Sequence, residues 1–338
     1  MMRSLWIAVA MYSKLPVPQV EWDRKSLSWA LCFFPVVGVV IGLLLGLWLE
    51  LCALLDIGPW LRAAGALLLP VAVSGAIHLD GFCDTADALG SHQPREKKLE
   101  ILKDSHTGAF AIICCCLYLI TFFAVWCEAE PAGGAFWVLC LGPALSRSLS
   151  GLAACSWPNA RGSGLLATFT QPMDAKRARV VLVLWVIGCC AGMLWLDLWA
   201  GAFTVAGALL SFLYYRVMST RQFGGVTGDL AGFFLQICEC AMVLQVVLAQ
   251  RIEVKLAYAI EKTGCGPEDV ARDPEAARRK PIFVGLESWI REHPDENLEE
   301  KLDTVLEDNP DVVILCDEVG CGVVPIDPGE RNWREAVG

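Results

Sequence analysis

Apolar runs of about 20 residues, the length that crosses a bilayer, recur through the first 250 positions between short polar connections. A backbone inside lipid must satisfy its own N–H and C=O groups, so runs of this kind fold as membrane helices. They fall at 28–49, 61–77, 107–127, 133–154, 179–197, 200–218 and 230–249. Residues 3–12 are apolar but too short to span, and are expected to lie at the interface or to insert in part. Pro16 and Pro18 interrupt that first stretch and a full span follows, which is not the pattern of a cleaved signal peptide. A large soluble core would not place its apolar residues in repeated runs of spanning length.

Charge divides the chain. Of 27 basic and 37 acidic residues, positions 1–250 hold 16 of each. That leaves 27 − 16 = 11 basic and 37 − 16 = 21 acidic residues after position 250, so the whole net charge of -10 sits there. Thirteen of the 16 cysteines lie before position 250 without zinc-type pairing, and read as small buried hydrophobes. The fold class expected is an all-α polytopic membrane protein of about seven transmembrane helices with a small α/β-like C-terminal segment. Residues 1–250 form the membrane domain, 251–281 a helical extension and linker, and 282–338 a separate segment. Within that segment, 298–307 has the pattern of an amphipathic helix and 311–316 that of a buried strand.

Basic residues gather in alternate connections. Arg95, Lys97, Lys98 and Lys103 lie in the first, Arg161, Lys176 and Arg177 in the second, and Arg221 in the third. The intervening connections carry no Lys or Arg. Basic loops stay on the cytoplasmic side, so these three are expected there. Seven spans then bring residue 250 out on the far side, unless one segment is re-entrant or residues 3–12 do more than lie at the interface.

The strongest chemical signal is His78-Leu79-Asp80-Gly81-Phe82-Cys83-Asp84-Thr85-Ala86-Asp87, where a span meets the first basic loop. Asp80, Asp84 and Asp87 share one face of a helix at i, i+4, i+7. Carboxylates so close repel unless a cation neutralises them, and oxygen donors suit Mg2+ with a substrate phosphate. A solvated acidic helix start is the alternative, but carboxylates in an apolar setting at membrane depth are usually functional. Gly81 is expected to let a phosphate approach the backbone.

Two further clusters join it. Lys103-Asp104-Ser105-His106-Thr107-Gly108 offers a cation, a carboxylate, hydroxyls and a glycine before the next span. Arg221-Gln222-Phe223-Gly224-Gly225-Val226-Thr227-Gly228-Asp229 has the glycines of a backbone nest for phosphate. Arg147 and Arg161 are candidate phosphate contacts. Together these groups suit transfer at a diphosphate. Asp80, Asp84 and Asp87 are the metal ligands, with Asp84, Lys103 and Asp104 as catalytic residues and Asp104 as the base. Gly81, Ser105, Gly108, Arg147, Arg161, Gly225, Thr227, Gly228 and Asp229 are the substrate contacts.

The runs HLDGFCDTADAL, LKDSHTGAF and RQFGGVTGDLAG, with LPVPQVEW and FFPVVGVVIG before them, resemble the cobalamin synthase (adenosylcobinamide-GDP ribazoletransferase) family across residues 3 to about 250. The resemblance implies that adenosylcobinamide-GDP is joined to alpha-ribazole, or to its 5′-phosphate, with release of GMP and Mg2+ as cofactor. It carries the aspartate motif onto Asp80, Asp84 and Asp87. The lysine–aspartate–serine motif falls on Lys103, Asp104 and Ser105, and the threonine–glycine–aspartate motif on Thr227, Gly228 and Asp229. His106 departs from the family, which often has arginine or another polar residue there.

It also implies a multi-pass inner-membrane enzyme with its active site facing the cytoplasm. Its partners would be the two substrates, the bilayer, and a second copy or other nucleotide-loop enzymes, with no nucleic acid. The tail, at 316–338, is similar to the end of the bifunctional adenosylcobinamide kinase/guanylyltransferase. No phosphate-loop motif occurs in the chain, so a docking or structural part is expected of it, with a gene-fusion remnant as the alternative. Two other classes compete. A CDP-alcohol lipid phosphotransferase is disfavoured because Thr85-Ala86-Asp87 follows Asp84 without an Ala-Arg pair. A corrinoid transporter is disfavoured because no internal repeat is evident.

Overall fold

The computed structural model describes residues 2–104, 106–161, 174–263, 270–271, 274–278, 280, 282–284, 298–310 and 312–315. The chain forms two compact units, Met1–Gln250 and Arg251–Gly338. Each of the seven expected spans is a helix. After the short α1 (Met2–Tyr12) and α2 (Arg24–Ala30) come α3 (Phe34–Leu54), α4 (Pro59–Ser74), α5 (Ile77–Gly90) and α6 (Arg95–Ile101). They are followed by α7 (Ala109–Glu128), α8 (Gly133–Ser156), α9 (Ala175–Leu196), α10 (Leu198–Met218) and α11 (Gly228–Thr263).

Among the described residues six helices are long and apolar enough to cross a membrane, and α4 with α5 makes a seventh if that bent pair counts as one span. Helix α8 is central, with 78% of its span buried, whereas 17% of α9 is buried and its apolar side chains face outward. Without a hydrophobic drive between helices in lipid, small residues at contacts allow close packing. Gly42 of α3 lies against the carbonyl of Cys140 on α8, where any side chain would collide. A single residue, Asp197, separates α9 from α10. Its side chain accepts a hydrogen bond from Ala200 N at 2.9 Å and its own amide donates to Met193 O at 3.1 Å, the geometry of a helix cap.

The turn between α4 and α5 positions the site. Gly75 and Ala76 are both left-handed, at φ +63°, and the two helix axes meet at 94°. Glycine adopts this conformation without penalty, but alanine does not. The amides of Gly75 and Ala76 donate to Ala72 O (3.1 Å) and Val71 O (2.9 Å), closing the last turn of α4. Lys14 N donates to Val73 O at 2.7 Å, so the chain after α1 takes up another terminal carbonyl.

Helix α4 begins at one end of the bundle and ends at the other. Arg62 Nη2 donates to Ala129 O at 2.9 Å, and Gln250 Nε2 donates to Glu130 O at 2.5 Å. These contacts gather the start of α4, the end of α7 and residue 250 at one end. The ring of His78, just past the bend, stands 6.0 Å from that of Phe34 at the start of α3, at the opposite end. The bent pair therefore runs from one end of the bundle to the other, and counted as one span it brings the total among the described residues to seven.

In the second unit three short parallel strands, β1 (Val270–Ala271), β2 (Ile282–Val284) and β3 (Val313–Leu315), pair in that order. Helices α12 (Pro274–Ala277) and α13 (Leu298–Asp308) accompany them. Phe283, Leu302, Val305 and Ile314 are buried together. Residues 316–338, which carry the tail's resemblance, lie outside the described residues.

Candidate active site

The bend turns α5 across the end of the bundle and carries the aspartate face with it. Asp80 is exposed, while Asp84 and Asp87 are half-buried. Gly81 is buried against the first turn of α11, where a Cβ would stand 2.8 Å from Asp229 Cα and from Asp229 O. The absent side chain lets the two helices touch, so Gly81 packs α5 against α11. The contact places a fourth carboxylate in the cluster. Asp84 feels the negative charges of Asp80, Asp229 and Asp87 and the positive charge of Arg161.

Arg161 arrives from the connection after α8. Val226 N donates to Pro158 O (2.8 Å) and Ala160 N donates to Val226 O (3.0 Å) in a parallel bridge that ties this connection to the glycine-rich turn. Arg161 N also donates to Asn159 Oδ1 at 2.9 Å. Arg161 Nη1 then stands 3.1 Å from Asp229 Oδ2, an ion pair without hydrogen-bond alignment. Among the described residues, Nε and Nη2 of Arg161 are buried with no hydrogen-bond partner, while the Asp229 carboxylate is engaged by Arg161 and Thr227. Buried polar atoms are normally satisfied, so Arg161 has unspent bonding capacity. It faces a pocket also lined by Asp80, Thr227, Gly228 and His78.

Several expected contacts have other work. In the supposed nest, the amides of Gly224, Gly225 and Val226 donate to Thr220 O (3.1 Å), Ser219 O (3.1 Å) and Pro158 O. They are committed to the protein's own backbone. Thr227 is buried and caps α11, its hydroxyl accepting from Leu230 N at 3.2 Å. Gly108 opens α7, with the Asp87 carboxylate close against it.

Arg147 is sealed inside the bundle, where Nη1 donates to Glu239 Oε1 (2.6 Å) and Pro143 O (3.0 Å). It supports the site from below and does not line it. Lys103 and Asp104 are exposed outside the pocket, and Ser105 is not among the described residues. Asp104 Oδ1 accepts from His106 N (3.0 Å) and lies 2.7 Å from His106 Nδ1. The His106 amide and ring together hold the Asp104 carboxyl below its ordinary range.

The spacing put Asp87 in the metal set and Asp229 among phosphate contacts; in the fold the charges of both act on Asp84, and the Asp87 carboxylate also lies against Gly108. The approach of Asp229 is tertiary, and no local pattern announces it. Tyr12, Phe34 and His78 also line the pocket. The first two sit in apolar stretches with no chemical signature of their own. Among the described residues, no three His, Cys, Asp or Glu side chains converge as a ready-made metal site. Mg2+ commonly takes one or two carboxylates and completes its shell with water and substrate phosphate, which agrees with an Asp84–Asp229 pair.

The family model for cobalamin-5-phosphate synthase matches residues 4–248. The adenosylcobinamide-GDP ribazoletransferase of Lachnoclostridium phytofermentans is 41% identical over 254 residues, 74% of this chain and 95% of the relative. Its counterpart in Pseudomonas putida strain KT2440 is 37% identical over 252 residues, 73% and 99% of the two chains. That of Stutzerimonas stutzeri is 36% identical over 259 residues, 73% and 98%. No solved structure matches.

Proposed function

The chain belongs to the cobalamin-5-phosphate synthase family and is an adenosylcobinamide-GDP ribazoletransferase, and we propose that its reaction takes place where Asp80, Asp84 and Asp229 face Arg161. The observation that carries this placement is the half-buried Arg161–Asp229 pair, which lines a pocket together with Asp80, keeps two Arg161 nitrogens without a partner among the described residues, and acts on the charge of Asp84. A hydroxyl oxygen of alpha-ribazole, or of its 5′-phosphate, attacks the cobinamide-bearing phosphorus of the diphosphate. The bridging P–O bond breaks, GMP leaves, and the hydroxyl gives up its proton.

Arg161 has the planar fork that fits phosphate oxygens, and its two free N–H groups are directed to the diphosphate. Asp80, exposed on the pocket wall, receives the proton. Asp104, whose carboxylate is engaged by His106, is assigned with Lys103 to the rim, where Lys103 offers a point charge to the diphosphate. Asp84 and Asp229 would hold Mg2+, which when bound supplies positive charge to the diphosphate and the departing GMP. Catalysis is then positioning and electrostatics, as is usual at phosphorus.

The protein is a multi-pass membrane protein. Its basic connections, with Arg95, Lys98, Arg161 and Arg221, lie at the pocket end, while those at 55–58 and 129–132 have no Lys or Arg. That asymmetry supports a cytoplasmic site. Residues 251–281 are assigned to an extension and linker. Residues 282–338 are assigned a docking or structural part, on the ground that no phosphate-loop motif is present.

The test is a reaction in membranes containing the full chain, adenosylcobinamide-GDP, alpha-ribazole and Mg2+, with the product identified by mass and GMP measured. Wild-type turnover lost in Asp229→Asn supports the placement. Near-normal turnover in that variant overturns it.

A further inference from the structure

The pocket has two unlike walls. One is the charged cluster of Asp80, Arg161 and Asp229. The other is built by Tyr12, Leu31, Phe34, Ile77 and Leu235, from α1, α3, α5 and α11 and the turn before α3. The rings of Tyr12 and Phe34 lie 4.2 Å apart, and Phe34 reaches towards His78. His78 belongs to this second wall. It is 7% exposed, and its Nε2 is buried with no hydrogen-bond partner among the described residues. Nothing in the transfer chemistry uses it.

A buried nitrogen left without a partner costs about 1–3 kcal/mol unless a ligand satisfies it. An apolar, partly aromatic wall with one such nitrogen selects a particular kind of guest. It suits a flat, largely apolar ring system with one hydrogen-bonding atom on its edge. A benzimidazole riboside fits well. One of its ring nitrogens bears the sugar, and the other is a single free acceptor on an apolar fused ring. A neutral imidazole can present N–H at Nε2 to that acceptor.

We propose that this wall is the subsite for the base of the acceptor nucleoside, with Phe34 packing on the ring and His78 Nε2 donating to its free nitrogen. The inference rests on the cleft being the reaction site, and it makes His78 a positioning and specificity residue. With the base held there, the ribose hydroxyl is directed across the pocket to Asp80 and Arg161.

The experiment uses the full chain in lipid nanodiscs with two acceptors, the benzimidazole riboside and the indole riboside. Indole replaces the free ring nitrogen by C–H. The wild type should prefer the benzimidazole acceptor by roughly tenfold in kcat/KM, the scale of one satisfied buried hydrogen bond. His78→Leu should remove the preference by losing the better acceptor, while the KM for adenosylcobinamide-GDP stays within about twofold, well under the cost of a lost hydrogen bond. Should that variant fail to insert, the wild-type preference together with Phe34→Leu gives the same reading, since Phe34→Leu should raise only the acceptor KM. An unchanged preference in His78→Leu, no preference in the wild type, or a raised KM for adenosylcobinamide-GDP in either variant overturns the assignment. Failure of the cleft as the reaction site would appear separately, as activity retained in Asp229→Asn.

Discussion

A Cβ built on Gly81 would stand 2.8 Å from the Cα of Asp229. That contact locks the carboxylates of α5 to the first turn of α11 and sets the spacing of the cluster. Gly81→Ala should push the helices apart by a few tenths of an ångström or more. Placement errors of this order near reacting groups lower rates by about tenfold to a hundredfold. The measurable outcome is a lower kcat in a variant that still inserts and extracts like the wild type. Unchanged kcat would mean that the spacing of Asp84 and Asp229 is not critical.

Arg147 and Glu239 form an ion pair of 2.6 Å in the bundle interior, with Ser146 Oγ also donating to Glu239 Oε1 at 2.8 Å. Removing one partner leaves a buried charge uncompensated and typically costs about 3–5 kcal/mol. Glu239→Leu should therefore lower the thermal stability of the detergent-solubilised protein sharply. The double variant Arg147→Met/Glu239→Leu should recover much of the loss. If Arg147→Met instead raises the KM for adenosylcobinamide-GDP at normal stability, Arg147 contacts the substrate after all.

What could be read in the sequence follows from what each signal depends on. The spans were legible because a helix in lipid satisfies its backbone locally and needs only an apolar run to declare itself. Asp80, Asp84 and Asp87 were legible because helical spacing is local. Asp229's place beside Asp84 was not, since it depends on Gly81 being flush with α11. The engagement of the glycine turn was not legible for a related reason. Its composition suits a nest, and only the fold shows that Ser219, Thr220 and Pro158 take three of its amides. Nor could local sequence show that Arg147 pairs with Glu239, 92 positions away.

Divalent metal separates the roles of the carboxylates. Chelation should abolish turnover, and added Mg2+ should restore it. Asp84→Asn and Asp229→Asn should each lose about 10²–10³ in kcat, the usual size for a group that stabilises charge in the transition state. Their residual activity should require more Mg2+ for half-maximal rate. Asp87→Asn, whose side chain sits on Gly108, should keep the wild-type Mg2+ requirement. A shifted requirement in Asp87→Asn alone would return the metal to the helical trio that the spacing suggested.

The bend at Gly75 and Ala76 makes a topological prediction. Helix α4 has 16 residues, about 24 Å at 1.5 Å per residue, short of a hydrocarbon core of about 30 Å. A helix that short, followed by a 94° turn, has the outline of a re-entrant segment. The contacts argue otherwise. Its first turns hold Ala129 through Arg62, and its last residues deliver His78 to Phe34 at the opposite end. A short epitope inserted after His92 should therefore be accessible on one face of sealed vesicles, and one inserted after Glu130 on the other. An epitope after Gln250 should label with the Glu130 site, because Gln250 is hydrogen-bonded to Glu130. If the His92 and Glu130 sites label from the same face, α4 and α5 return to the side they left, and the pocket cannot be assembled from both ends of the chain as described.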